Sequence, residues 1–212
     1  MPTRNYGQAC SVARFLDHLG SRWTLLLVRD LLVGPRRFKD LLASAPSMGP
    51  NLLTDRLRQL QEQGIVRKLD AEPAGSYVLT EKGRSLEPVI LTMARWGLNH
   101  LQPDPANRGT SRPDLLVVAL RAAFNPARAA GFKETYAFHV DDVRFYASID
   151  DGEIETALGD AADAAFVMTT DSPTFDLLGS GELDIELALK KKLVNVAGDK
   201  KAFARFLDIF GA

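Results

Sequence analysis

The chain has 212 residues, 46% hydrophobic and 25% charged, a globular composition that excludes collagen-like, disulfide-scaffold and fully disordered classes. Its single cysteine, Cys10, cannot close an internal disulfide, and no apolar run approaches the ~20 residues that span a bilayer. The formal net charge of −1 hides an asymmetry: residues 1–101 carry 14 Lys and Arg against 9 Asp and Glu, a net of +5, while residues 102–212 carry 12 against 18, a net of −6.

Elements follow in chain order. Val12, Phe15, Leu16 and Leu19 keep the i, i+3, i+4, i+7 spacing of a helix, with Ser11 as its expected N-cap and Gly20 as its stop. Trp23–Leu32 is apolar on most sides, as a central helix is, and Gly34-Pro35 breaks it. A short helix around Phe38, Leu41 and Leu42 ends at Pro46. A fourth runs from Asn51 to Gln63, before Gly64. Ile65–Leu69 and Ser76–Leu79 read as two strands, and Thr80 caps a last helix that reaches Leu101. Pro88 either kinks that helix or marks where its regular part begins.

Residues 102–112, rich in proline and poor in apolar side chains, read as a linker at the point where the charge changes sign. This predicts two domains, 1–101 and 113–212. In the second, a helix over Asp114–Phe124 precedes strands at Tyr136–Val140, Val143–Ile149, Ile154–Leu158 and Ala165–Thr169. Asp150-Asp151-Gly152 is a hairpin signal. Asp171 or Ser172 caps a helix with Pro173 in its first turn, and a further helix runs over about Leu183–Lys191. A strand at Leu193–Ala197 precedes a final helix with Phe203, Phe206, Leu207 and Phe210 as its stripe. The order predicts an α+β domain, a mainly antiparallel sheet covered by helices.

Helix, short helix, turn, helix, two-stranded hairpin, helix is the order of a winged helix-turn-helix. Leu53, Leu57 and Leu60 turn one face of the fourth helix to the core, leaving Asn51, Thr54, Asp55 and Arg58 outward, where such a helix meets base edges in a major groove. Arg36, Arg37 and Lys39 are placed to hold phosphates, and Arg67 and Lys68 lie on the hairpin. These nine are the candidate contacts to double-stranded DNA.

From Gly7 to Leu101 the sequence resembles the HxlR-type family of bacterial winged-helix transcription regulators. The resemblance rests on Leu16-Asp17-His18-Leu19-Gly20, Arg22-Trp23-Thr24, Gly34-Pro35-Arg36-Arg37-Phe38-Lys39-Asp40-Leu41, the stretch Leu53–Leu60, Gly64-Ile65-Val66-Arg67, Tyr77-Val78-Leu79-Thr80-Glu81-Lys82-Gly83, Leu86-Glu87-Pro88 and Trp96. It implies a homodimer built from the first and last helices on a pseudo-palindromic operator. Residues 71–76 depart from the pattern, lacking the basic residue frequent at the wing tip of that family. Cys10 matches the cysteine that some members use to sense oxidants or electrophiles. Arg4 and Arg14, close in sequence, are candidates for lowering its pKa.

Nothing in the second half forms a catalytic set. His18, His100 and His139 lack metal-ligand spacing, and no phosphate loop or nucleophile elbow is present, so no metal, cofactor or enzymatic activity is expected. Phe138, Phe145, Phe166, Phe175, Leu178, Phe203, Phe206 and Phe210 form either a plain core or the wall of an apolar ligand cavity. From about Leu115 to Phe210 this half resembles the sterol-carrier-protein type-two domain, through Tyr136–Val140, the stretch Phe145–Gly152, Phe166–Asp171, Gly179-Ser180-Gly181-Glu182-Leu183 and Leu193–Asp199. That resemblance implies lipid or fatty-acyl binding between sheet and helices.

The leading expectation is a cytoplasmic, homodimeric transcription regulator whose second domain takes a small apolar or lipid-like effector. The alternative is a redox or electrophile sensor acting through Cys10 with a structural second domain. A lipid-binding or transfer protein is the third.

Overall fold

A computed structural model describes residues 5–70, 75–101 and 112–211. The chain divides into two compact units, Met1–Ile90 and Leu91–Ala212. The expected linker at 102–112 lies, apart from Arg112, outside the described residues.

The first unit opens with helices α1 (Ser11–Leu19), α2 (Thr24–Val33), α3 (Phe38–Ser44) and α4 (Pro50–Glu62). The cap of α1 is Cys10, one residue ahead of the expected Ser11, because Ser11 already has helical geometry. Asp40 at the third position of α3 accepts the Arg37 backbone N–H at 3.1 Å, supplying an orphan donor of the first turn. Met48, buried in the α3–α4 turn, closes it with a backbone bond to Ala45 at 2.8 Å. Leu27, Val28, Leu31, Leu41, Leu53, Leu57 and Leu60 are all buried.

Strands β1 (Val66–Lys68) and β2 (Tyr77–Leu79) pair antiparallel, and Arg36 bridges Tyr77 on β2. The single helix expected after Thr80 is two. Helix α5 (Glu81–Arg84) ends at Ser85, and α6 (Glu87–His100) starts with Pro88 as its second residue. Pro88 carries no N–H, which costs nothing in a first turn where N–H groups have no intrahelical partner. It therefore marks the beginning of the regular helix and not a kink.

At the carboxyl end of α4 the chain reverses through Gly64 at φ 68°. Thr80 caps α5 by accepting the Gly83 N–H at 3.1 Å, and its hydroxyl donates to the Gly64 carbonyl at 2.6 Å. Lys82 Nζ donates to the Gln63 carbonyl at 2.8 Å. Gly83 lies so close that a Cβ would run into the Ile65 carbonyl oxygen and meet Leu79 Cδ2 at 3.1 Å.

In the second unit a 3₁₀ turn at Pro113–Leu115 leads into α7 (Leu116–Ala123), where one continuous helix was expected. Pro113 sits in the first turn, which lets the tighter turn start the segment. Strands β3 (Lys133–Val140), β4 (Val143–Asp150), β5 (Glu153–Leu158), β6 (Phe166–Thr170) and β7 (Asn195–Gly198) form one sheet in the order β5-β4-β3-β6-β7. All pairs are antiparallel except β3 with β6. The β4–β5 hairpin turns on Asp151 at φ 46° and Gly152 at φ 84°, the left-handed pair that an Asp-Gly sequence supplies. Helices α8 (Ser172–Gly179), α9 (Ile185–Lys190) and α10 (Lys200–Phe210) complete the unit. Asp171 caps α8, its carboxylate accepting the Thr174 N–H at 2.8 Å, and the Thr174 hydroxyl together with that N–H holds the carboxyl below its ordinary pKa. The unit is α+β with a mostly antiparallel, mixed sheet.

Gly83→Ala is expected to destabilise the first unit by about 1–3 kcal/mol, because the added methyl meets backbone that cannot swing aside. Thermal melting of the variant against the parent chain measures it, and an unchanged melting curve counts against the clasp.

Candidate functional site

The outward row of α4 is built by its inward one. Leu53, Leu57 and Leu60 are buried, and Asn51, Thr54, Asp55 and Arg58 are exposed. The Thr54 hydroxyl donates to the Pro50 carbonyl of its own helix at 2.9 Å. Arg58 reaches Asp55 at 3.2 Å and Glu62 at 4.0 Å, with its side chain still 67% exposed. Exposed pairs of this kind are worth at most about 1 kcal/mol and break readily for a better partner. Glu62 was not among the expected residues, although its i+4 spacing from Arg58 is legible in the sequence.

Around this row, Arg37 and Lys39 at the start of α3 are exposed, as are Arg67 and Lys68 on β1. Arg36 is half-buried, with its backbone engaged by Tyr77 through bonds of 3.1 and 2.7 Å. The expected wing tip lies partly outside the described residues, at 71–74. The sequence did not single out Lys82 or Gln63. Lys82 caps the end of α4, and Gln63 Nε2 donates to the His18 carbonyl at 3.3 Å, tying α4 to α1.

Cys10 is exposed at the amino end of α1. The backbone N–H groups of Ala13 and Val12 face its sulfur and hold the thiol below its ordinary pKa. The cause is the helix end, and Arg14 is not among the groups that lower it; Arg4 lies outside the described residues.

In the second unit Phe138, Phe145, Phe166, Phe203 and Phe206 are buried, while Phe175, Leu178 and Phe210 are half-buried. The rings meet one another: Phe138 stacks on Phe145 at 5.0 Å, Phe166 meets Phe203 edge-on at 5.3 Å, and Phe206 meets Phe210 at 4.8 Å. They form one contiguous cluster between the sheet and α8 and α10. A surface hollow of about 740 Å³ is lined by Glu134, Ile149, Glu153, Ile154 and Asp163 among others, and by none of the eight expected cavity residues. Arg95 Nε donates to the Ala122 carbonyl at 2.7 Å, fastening the end of α7 to α6. Among the described residues no group of His, Cys, Asp and Glu is placed to hold a metal ion.

Residues 18–105 match the model of the HxlR-like helix-turn-helix family. A transcriptional regulator of Synechocystis, sll1512, is 33% identical over 106 residues, covering 49% of this chain and 78% of that protein. The chain belongs to the HxlR family. It is a transcriptional regulator with a helix-turn-helix N-terminal half. YybR of Bacillus subtilis, also a helix-turn-helix regulator, is 37% identical over 93 residues, covering 42% of this chain and 74% of that one. A solved structure of the redox regulator HypR in its reduced form is 35% identical, covers 42% of this chain and 92% of its own, and superposes with a TM-score of 0.39. No helix among the described residues is long and apolar enough to cross a membrane.

Alkylation of Cys10 is expected to show a pH midpoint below that of an ordinary thiol, since its lowered pKa leaves more thiolate at neutral pH. Unfolding removes the helix N–H groups and should return the midpoint upward. A midpoint unchanged between native and denatured protein contradicts this.

Proposed function

We propose that this HxlR-family regulator reads a double-stranded operator as a homodimer and answers to a small apolar or lipid-like effector taken by its second domain. The observation that carries the DNA reading is the outward row of α4, Asn51, Thr54, Asp55 and Arg58, flanked by exposed Arg37, Lys39, Arg67 and Lys68. A rigid, leucine-backed helix with short polar residues early and a long cation later suits base edges. Cations around it suit phosphates.

Dimerisation is supported by apolar side chains left in solvent. Val12 on α1 is 66% exposed and Trp96 on α6 is 56% exposed, with Leu16, Val89, Met93 and Leu98 also exposed on these helices. A lone chain would carry that surface at a cost in solubility. In domain terms the reading assigns 1–101 to DNA binding and dimerisation, 102–112 to a linker, and 113–212 to a sterol-carrier-like effector domain. Half-buried Phe175, Leu178 and Phe210 at the margin of the ring cluster support an apolar ligand there.

A second reading is favoured by Cys10, exposed with its thiol pKa lowered. It makes the regulator a sensor of oxidants or electrophiles, with the second domain structural. Loss of a peroxide or quinone response in Cys10→Ser, with DNA binding intact, selects it over the effector reading.

Arg58→Ala is expected to weaken binding to the regulator's own promoter fragment by about 1–3 kcal/mol while leaving non-specific binding nearly unchanged. Lys39→Ala should weaken both and reduce the slope of affinity against salt by about one. Fluorescence anisotropy across a salt series separates the two, and equal loss on specific and random DNA for Arg58→Ala removes it from base reading. Sedimentation at micromolar concentration should show a dimer.

A further inference from the structure

Glu134 is placed where a carboxylate is expensive. In β3 it has the same parity as Tyr136 and Phe138, so it belongs to the apolar side of the sheet, and it pairs with Ile149, which is buried. A charge on such a face is tolerated only when its oxygens are met by donors. Three donors meet this one. The Tyr136 hydroxyl donates to Oε2 at 2.8 Å, Arg205 Nε donates to Oε2 at 3.0 Å, and Arg205 Nη2 donates to Oε1. The guanidinium comes from α10 and lies over the Phe132 ring at 5.6 Å, with Asp199 as a second, more distant anion at 3.9 Å.

This donor set adjoins the ring cluster directly. The Tyr136 ring stacks on Phe166 at 4.9 Å and meets Phe206 edge-on at 5.7 Å. A two-pronged cation and a hydroxyl thus sit at one end of a continuous apolar phase. A long-chain carboxylic acid has the same two parts in the same order. We propose that Arg205 and Tyr136 form a carboxylate site at the margin of the ring cluster, which Glu134 fills in the resting protein and which a long-chain carboxylic acid takes by displacing it.

The exchange is balanced at the head and favourable at the tail. One carboxylate replaces another on the same donors, so the ion-pair energies nearly cancel, and burial of the alkyl chain supplies the driving force. The rings leave the tail no ready channel, so α10 must shift. Three ties fasten that helix: Arg205 to Glu134, Arg128 to the Asp208 carbonyl and carboxylate at 2.8 and 3.2 Å, and the Asn125 N–H to the Ile209 carbonyl at 3.2 Å. Displacing Glu134 transfers the first tie from the sheet to the ligand and frees α10 to move. A chain of equal length ending in a hydroxyl cannot replace Glu134 on Arg205.

The proposal rests on the apolar-effector reading, and the test separates the two. The full-length protein is titrated with palmitic acid and with hexadecanol, each read by displacement of a fluorescent lipophile. Palmitic acid should bind at least about tenfold more tightly than hexadecanol, as expected for a charge-assisted pair gained by only one of them. Glu134→Gln keeps the shape and removes the competing charge, and should tighten palmitic acid about tenfold further without changing hexadecanol. Arg205→Gln should bring palmitic acid to the hexadecanol level. Hydrogen exchange in Glu134→Gln should quicken over α10 while β4 keeps its protection, which distinguishes a released helix from a misfolded unit. Equal binding of acid and alcohol by the parent chain and by Glu134→Gln overturns the carboxylate site and leaves the apolar-effector reading standing. Failure of every variant to bind either compound overturns both.

Discussion

The arrangement of α4 depends on one close approach. Where α4 ends, the chain turns through Gly64, and the segment Thr80–Gly83 folds back onto that turn. The carbonyls at a helix end have no intrahelical partner and must find donors. Here Thr80 and Lys82 provide them for Gly64 and Gln63. The fit closes because residue 83 has no side chain to push the Ile65 carbonyl away. One clasp therefore fixes the end of α4, the start of α5 and the strands between them, so that the outward row of α4 and the cations of β1 keep a set relation within the first unit.

The second unit meets a different constraint. Its sheet presents an apolar face of aromatic side chains, and α8 and α10 cover it with more of them. Rings pack densely only in offset, tilted or edge-on contacts, which explains the range of interplanar angles from 12° for Phe138 on Phe145 to 87° for Phe138 on Phe166. Burial beside those rings, together with the acceptor Glu134, pushes the Tyr136 hydroxyl well above its ordinary pKa. It stays protonated and remains a donor throughout the range in which a carboxylate is charged.

Much of this was legible in the residues. Periodicity located α1–α4 and the strands of the sheet because their apolar positions alternate or recur at helical spacing. Glycine and proline set the ends of α2 and α4 and the β4–β5 turn. The misreadings fall where two local rules compete. Thr80 was a sound cap, but the helix that it starts is only a clasp, since a new one opens at Glu87, two residues after Ser85, with Pro88 in its first turn. Cys10 was passed over as a cap because its side chain is a weak acceptor, yet its backbone has the extended geometry that a cap requires. The parallel pairing of β3 with β6 has no local signature at all, since it depends on where the chain returns after β5.

The candidate sites divide along the same line. The row Asn51, Thr54, Asp55, Arg58 follows from helical geometry alone, because three leucines decide which side faces inward. The eight apolar residues of the second half were found as a set, but no spacing rule distinguishes a wall from a filling; that depends on whether rings from distant elements touch. Glu134 and Arg205, 71 residues apart in the chain, are less visible still. Each reads singly as an ordinary surface charge on a strand or an amphipathic helix. Only the register of β3, which puts residue 134 on the same side as Tyr136, and the approach of α10 to that side turn two unremarkable charges into a fork closed on a carboxylate. The strand expected from the sequence begins at Tyr136 and leaves Glu134 out; β3 starts at Lys133, so the acid's place in phase with the apolar residues, and the partner that gives it meaning, come from the structure alone.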